Sequence, residues 1–279
     1  MSTIKPSKLF GNDTRRIFLQ KASCSHAFLH LLNREFGYSN DHEERASRPL
    51  AGGVVRQGHQ CGMLSGAVLA VGAESFRRCE NKDEAVGLAI IATQQLIGSF
   101  TQRTGTVNCR EITKTDFSKK LEMTKYVFFK AKTCLNLADQ WAPEAIQSAK
   151  DGLSLEVTHL PKPTLSCASE VAKRMGARDE EIVMVAGFAG GLGLSGEACG
   201  ALSAAIWLKT LARNKEHKGK FVKSSQDAKK QYEAFYQATH AEILCEKISG
   251  QCFKSVNEHS EFIKNGGCEA LINRLASEP

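Results

Sequence analysis

The chain of 279 residues carries 37 Lys and Arg against 30 Asp and Glu, a net charge of +7, with 42% hydrophobic and 24% charged residues. This is the composition of an ordinary globular protein and excludes a disordered or low-complexity chain. No run reaches the ~18 consecutive apolar residues of a membrane span, so a spanning protein is excluded as well.

In chain order the pattern is nearly all helix. Phe18, Ala22, Leu29 and Leu32 form a stripe of helical period within Arg15–Phe36, ended by Gly37. Arg15-Arg16 resembles a twin-arginine export signal, but the segment after it is too polar for one, and a cytoplasmic location is expected. Met63–Phe76 reads as a buried helix, Asn81 caps the next one, and Phe117–Ala138 is the last long helix before a linker. Pro143, Gly152, Pro161 and Pro163 punctuate that linker, where Leu153–Thr158 is the best strand signal. Helices over Ser166–Met175, Ala201–Arg213, Ser225–Ile248 and Val256–Leu275 follow, with a short one starting at Asp179-Glu-Glu181. The basic stretch Arg213–Lys230 reads as a solvated loop, and no nucleic-acid partner is expected, because it lacks a run of interleaved aromatic residues.

The second half repeats the first. With Cys61 superposed on Cys199, Gly52, Gly53 and Gly58 fall on Gly190, Gly191 and Gly196, and Leu64-Ser65 falls on Leu202-Ser203. Cys24, Cys61, Cys109 and Cys134 are separated by 37, 48 and 25 residues; Cys167, Cys199, Cys245 and Cys268 by 32, 46 and 23. Cys109-Arg-Glu-Ile-Thr113 also matches Cys245-Glu-Lys-Ile-Ser249. Two divergent copies with trimmed loops give this pattern. The expected fold is all-α: two tandem helical bundles, residues 1–160 and 161–279, related by pseudo-twofold symmetry.

Four spaced cysteines, the second inside Cys-Gly-x-x-x-Gly/Ala after a glycine-rich turn, resemble the redox-active C_GCAxxG_C_C family. The usual member is a single unit, so this chain resembles a two-copy member. Met63 and Ala204 depart from the motif, replacing its Ala and its final Gly, which bears on helix packing. The resemblance implies a redox role with all eight quartet cysteines as site residues. It points to an iron–sulfur cluster, since a similar domain in split-Soret cytochrome is associated with a two-iron cluster.

The residues themselves leave the chemistry open. A cysteine at a helix N-terminus meets unpaired N–H groups and the positive end of the dipole, which favour thiolate; Cys61 and Cys199 have this setting. Gly58, Gly62, Gly196 and Gly200 flank them and let backbone amides approach a sulfur or bound anion. Four converging thiolates suit an iron–sulfur cluster or zinc; two pairs suit disulfides or metal-free thiol redox. No Cys-x-x-Cys is present to indicate a zinc ribbon or thioredoxin-type site. Gly191-Leu-Gly-Leu-Ser-Gly196 matches a dinucleotide fingerprint but lacks the strands it requires. His59 and Glu197, each two residues before a motif cysteine, suit a turn or cap better than a ligand role. Cys79 and Cys252 have no counterpart and read as free thiols. A redox partner and a monomeric pseudo-dimer, or a low-order homo-oligomer, are expected.

Overall fold

The computed structural model describes residues 12–156, 160–216 and 224–277. The first copy comprises α1 (Asn12–Lys21), α2 (Cys24–Glu35), α3 (Asp41–Ala46), α4 (Gly62–Arg78), α5 (Lys82–Thr104), α6 (Cys109–Thr113), α7 (Lys120–Phe129) and α8 (Ala131–Leu153). The second comprises α9 (Cys167–Arg174), α10 (Asp179–Met184), α11 (Gly200–Glu216), α12 (Ser224–Ala238), α13 (Cys245–Ser249), α14 (Val256–Lys264) and α15 (Glu269–Ser277). No strand occurs among the described residues; the only β pairings there are two isolated bridges, Gln60 with Asn108 and Ala198 with Leu244. The all-α reading holds.

Two helices organise the core. Every residue of α4 from Gly62 to Ala73 is buried, and so is every residue of α11 from Gly200 to Leu208. A helix apolar all round must be covered on all sides. Helices α2, α5, α8 and α10 surround α4, while α3, α9, α12 and α15 cover α11. Trp141 fills the first copy, stacked at 5.0 Å on Phe28 and edge-on at 4.7 Å to Phe100.

The copies are tandem helical units whose apolar cores run together. Helix α10 of the second copy lies on α4 and α5 of the first, and α3 of the first lies on α11. The approach of α10 is close enough that a Cβ on Gly72 would sit 2.5 Å from the Met184 carbonyl oxygen. Trp207 Nε1 donates to the Glu43 carbonyl at 3.2 Å, and Arg178 pairs with the fully buried Glu43 at 3.1 Å.

Several element bounds differ from the sequence-based expectation, each for a local reason. The first helix is broken at Ala22, whose φ of 53° cannot continue a right-handed helix, so Cys24 begins a new one. Arg15 and Arg16 stand on α1, where Arg15 bonds Asp139 of α8. Residues 117–138 divide at Lys130 into α7 and α8. Pro143 and Gly152 lie inside α8 and not in a linker, because this helix continues to Leu153. No strand forms at 153–156, and Val157 and Thr158 lie outside the described residues, as do residues 217–223 of the basic stretch. In the second copy α12 stops at Ala238, where His240 and Ala241 turn left-handed, so Cys245 starts its own helix. Residues 256–275 divide at Gly266, with φ of 86°, leaving Cys268 just ahead of α15.

Candidate functional site

The glycine-rich turns take one conformation in both copies. Gly52, Gly53, Val54, Val55 and Arg56 have φ of 71, 77, 53, 53 and 65°; Gly190, Gly191, Leu192, Gly193 and Leu194 have 60, 76, 75, 53 and 67°. Five consecutive left-handed residues are costly for side chains with a Cβ, about 1–2 kcal/mol each, and β-branched Val54 and Val55 bear most of that strain. The turn closes on itself at Gly53 and Gly191. A Cβ there would collide with the backbone of His59 in the first copy, or with that of Glu197 in the second.

This closure leads directly into the cysteines. Cys61 N donates to Val107 O at 2.7 Å, Cys109 N to His59 O at 2.7 Å and Arg110 N to Gly58 O at 3.0 Å. The second copy repeats the ladder: Cys199 N to Ile243 O at 2.8 Å, Cys245 N to Glu197 O at 2.8 Å and Glu246 N to Gly196 O at 3.1 Å. The second and third cysteines of each quartet are thereby clamped side by side.

All eight quartet cysteines stand at helix N-termini, where the sequence indicated only two. Cys24, Cys109, Cys167 and Cys245 are the first residues of α2, α6, α9 and α13; Cys61 is the cap of α4; Cys199 and Cys268 directly precede α11 and α15; Cys134 lies in the first turn of α8. Each copy thus directs the positive ends of four helix dipoles toward one set of sulfurs. Nearby backbone N–H groups favour the charged form of the sulfurs as well: Gly52, Gly62 and Ser25 for Cys24, Met63 for Cys61, Gly190 and Ala168 for Cys167, and Ala201 and Leu202 for Cys199.

Within each copy the sulfurs feel one another's charge. Burial first, then Cys109, Cys24 and Cys134, push the Cys61 thiol far above its ordinary range. Burial, Cys167, Cys199 and Cys268 likewise raise the Cys245 thiol. Burial raises Cys134 to about 11, against the lowering effect of the Tyr126 hydroxyl, which donates to Cys134 Sγ at 2.7 Å. Cys167 and Cys199 are pushed up to about 12, burial leading in both. Cys24, Cys109 and Cys268 are raised too, mainly by burial. The thiols are therefore protonated at neutral pH unless a cation compensates their charge.

The candidate glycines divide by role. Gly62 lies against Cys24: its N–H favours the charged form of that thiol, and a Cβ on it would meet Cys24 Sγ at 2.5 Å. Gly58 and Gly196 lie against Arg110 and Glu246, where their carbonyls hold the first turns of α6 and α13. Gly200 packs on the Phe188 carbonyl, which a Cβ would overlap outright. Gly52, Gly190 and Tyr126 also reach sulfurs, beyond the residues that the motif picks out. The matched glycine positions could have indicated the first two; nothing local could have indicated the tyrosine.

All ten cysteines are free thiols. Cys79 and Cys252 stand outside the quartets, and Cys252, exposed, donates to Glu246 Oε2 at 3.1 Å. Among the described residues no group of three or more His, Cys, Asp or Glu is drawn together closely enough to clasp a single metal ion. The donor chemistry nevertheless fits a larger thiolate-ligated group: four soft donors per copy, buried or partly buried, in mutual electrostatic reach, with backbone amides to offset negative charge.

A helical protein of two copies, each presenting four free thiols at helix N-termini, defines a tandem cysteine-quartet protein. The chain belongs to the C_GCAxxG_C_C family, described as "Putative redox-active protein (C_GCAxxG_C_C)", whose family model matches residues 22–145 and again residues 165–278. No curated protein and no solved structure matches the chain. No helix among the described residues is long and apolar enough to cross a membrane.

Proposed function

We propose that each cysteine quartet holds an iron–sulfur cluster, of the two-iron type, and that the chain passes electrons to and from a redox partner. The units are residues 1–160 and 161–279, acting as a covalent pseudo-dimer. Cys24, Cys61, Cys109 and Cys134 would ligate one cluster, and Cys167, Cys199, Cys245 and Cys268 the other. The observation that carries this reading is the placing of all eight sulfurs at helix N-termini, in two sets whose members raise one another's charging cost. Four thiolates so buried repel unless a cation lies among them.

A bound cluster would supply one-electron storage. The chain's own residues do the rest. The amides of Gly52 and Gly62 beside Cys24, and of Gly190 and Ala168 beside Cys167, offset the charge of the sulfur. The clamp between residues 58–61 and 107–110 fixes two donors before any metal arrives. Burial of Cys61, Cys109, Cys199 and Cys245 excludes water from the sulfurs.

Anaerobic reconstitution with iron and sulfide tests the reading. Visible charge-transfer absorption and iron bound at both copies are expected, with Cys199→Ser abolishing copy-two iron and sparing copy one. A fully folded protein that binds neither iron nor sulfide would overturn it. Metal-free thiol–disulfide exchange is the second reading, favoured by the free state of all ten cysteines and by a donor spacing too open for one ion. In it, two thiols of a quartet give up two protons and two electrons to a disulfide or quinone oxidant. The same spacing gives no support to a single zinc ion.

A further inference from the structure

Helix α7 is anchored to the protein differently from every long helix around it. Tyr126 is its only buried residue, held edge-on at 4.8 Å to Phe117 and bonded to Cys134. Four large apolar side chains on the helix face outward: Leu121 is 67% exposed, Val127 61%, Phe128 76% and Phe129 83%. Single exposed apolar residues need no explanation, but four on one short helix do. The corresponding α14 of the second copy shows no such face; its Phe262 packs on Phe253 at 5.1 Å.

The charge around this face is one-sided. Residues 114–132 contain six lysines and two acids, Asp116 and Glu122. Lys119 lies near both acids at 3.7 Å. Lys120, Lys125, Lys130 and Lys132 are exposed and make no ion pair among the described residues. A second copy of the chain is a poor occupant, since a twofold contact would press these lysines against their own images. The occupant must be anionic and must cover phenyl rings that leave adjacent positions of a helix in different directions. A rigid protein surface would need two separate slots for them, whereas a fluid lipid interface receives both while its headgroups meet the lysines.

We propose that α7 docks the protein on an anionic lipid surface, with Phe128 and Phe129 entering the headgroup boundary and the lysines on the phosphates. This docking is independent of what the cysteines bind. It would turn the copy-one quartet toward the membrane, since Tyr126 connects the docking helix to Cys134.

The test is co-sedimentation of the full chain with vesicles of phosphatidylcholine containing about 30% phosphatidylglycerol, against pure phosphatidylcholine. Binding to the anionic vesicles is expected, reduced about tenfold at about 0.5 M salt. Phe128→Ser with Phe129→Ser should reduce it about tenfold at unchanged helical content, because neither side chain is buried. Lys125→Glu with Lys130→Glu should do the same while leaving Phe128 and Phe129 in place. Failure of the wild-type chain to sediment, equal sedimentation with neutral vesicles, or wild-type affinity in both double variants would overturn the proposal. So would a dimer in light scattering that dissociates when Phe128 and Phe129 are replaced, or binding restricted to acidic proteins.

Discussion

His59 Nε2 lies 2.9 Å from the phenolic oxygen of Tyr232, a bond from the first copy to the second. Its counterpart does the reverse: Glu197 of the second copy accepts from Asn108 Nδ2 of the first at 3.3 Å. Between them, Gln60 Nε2 reaches Ser203 Oγ at 3.3 Å. The residues just before the motif cysteines therefore lie in the seam between the copies. Burial, and then Arg110, lower His59 to about 4, while burial raises Tyr232 to about 12, so both partners are neutral at pH 7. Tyr232→Phe should cost about 1 kcal/mol in chemical denaturation, the net worth of one hydrogen bond. A change below a few tenths would show that the bond contributes nothing to holding the copies together.

The backbone approach at Gly72 is a second test of the seam. An added methyl at this position would lie 2.5 Å from Met184 O and 2.7 Å from Val183 O, both main-chain atoms that cannot swing aside. Gly72→Ala should destabilise by about 1–3 kcal/mol despite its helical position, where alanine is otherwise preferred. The denaturant midpoint reads this directly, and a stabilised variant would contradict the packing of α10 on α4.

Acid and alkali should weaken the protein for opposite reasons. His26, His59 and His259 have folded values lowered to about 4, burial leading in each. For a lowered base the stabilising contribution is complete above the unfolded value, 6.5, and declines as pH falls toward 4. The thiols are the mirror case: Cys134 is raised to about 11, and Cys167 and Cys199 to about 12. Their contribution is complete below the ordinary thiol value, 9.0, and declines as pH rises from there toward those values. The melting temperature of the metal-free protein should fall on both sides of neutrality. Replacing Cys61 and Cys199 with Ala should flatten the alkaline arm relative to wild type; an unchanged slope would detach it from the quartets.

Thiol labelling should follow exposure. Cys252 is exposed, Cys79 half-buried, and Cys61, Cys109, Cys167, Cys199 and Cys245 are buried in the core. A maleimide applied to the native protein should modify Cys252 first, slowed by its bond to Glu246, which raises its thiol value. Peptide mapping that found Cys61 or Cys199 labelled ahead of Cys252 would show that the glycine turns open in solution.

Gly62→Ala would place a methyl 2.5 Å from Cys24 Sγ and 3.0 Å from the Ala51 backbone. If the quartets hold clusters, this variant should lose copy-one iron and keep copy-two iron. Equal iron at both copies would remove Gly62 from the site.

The tandem plan is written in the order of the residues. Helical period is a local property, and a repeated spacing of cysteines and glycines is visible in the chain itself. The all-helical fold and the paired turns are legible there for that reason. Capping is legible where its chemistry is local: Asn81 accepts from Asp83 N at 2.8 Å, as its position ahead of α5 implies. The breaks that decide the site are not. Ala22, Lys130, His240 and Ala241 carry no breaker chemistry, yet each interrupts a periodic stretch and leaves a cysteine near the start of a new helix. Pro143, a breaker by its own chemistry, is carried inside α8 because burial of Trp141, Ala142, Ala145 and Ile146 outweighs one lost backbone bond. Contacts such as His59 with Tyr232 and Tyr126 with Cys134 depend on how the copies and helices pack, 173 and 8 residues apart in the chain. Packing is a sum over many weak non-local contacts, and only the folded chain brings those partners together.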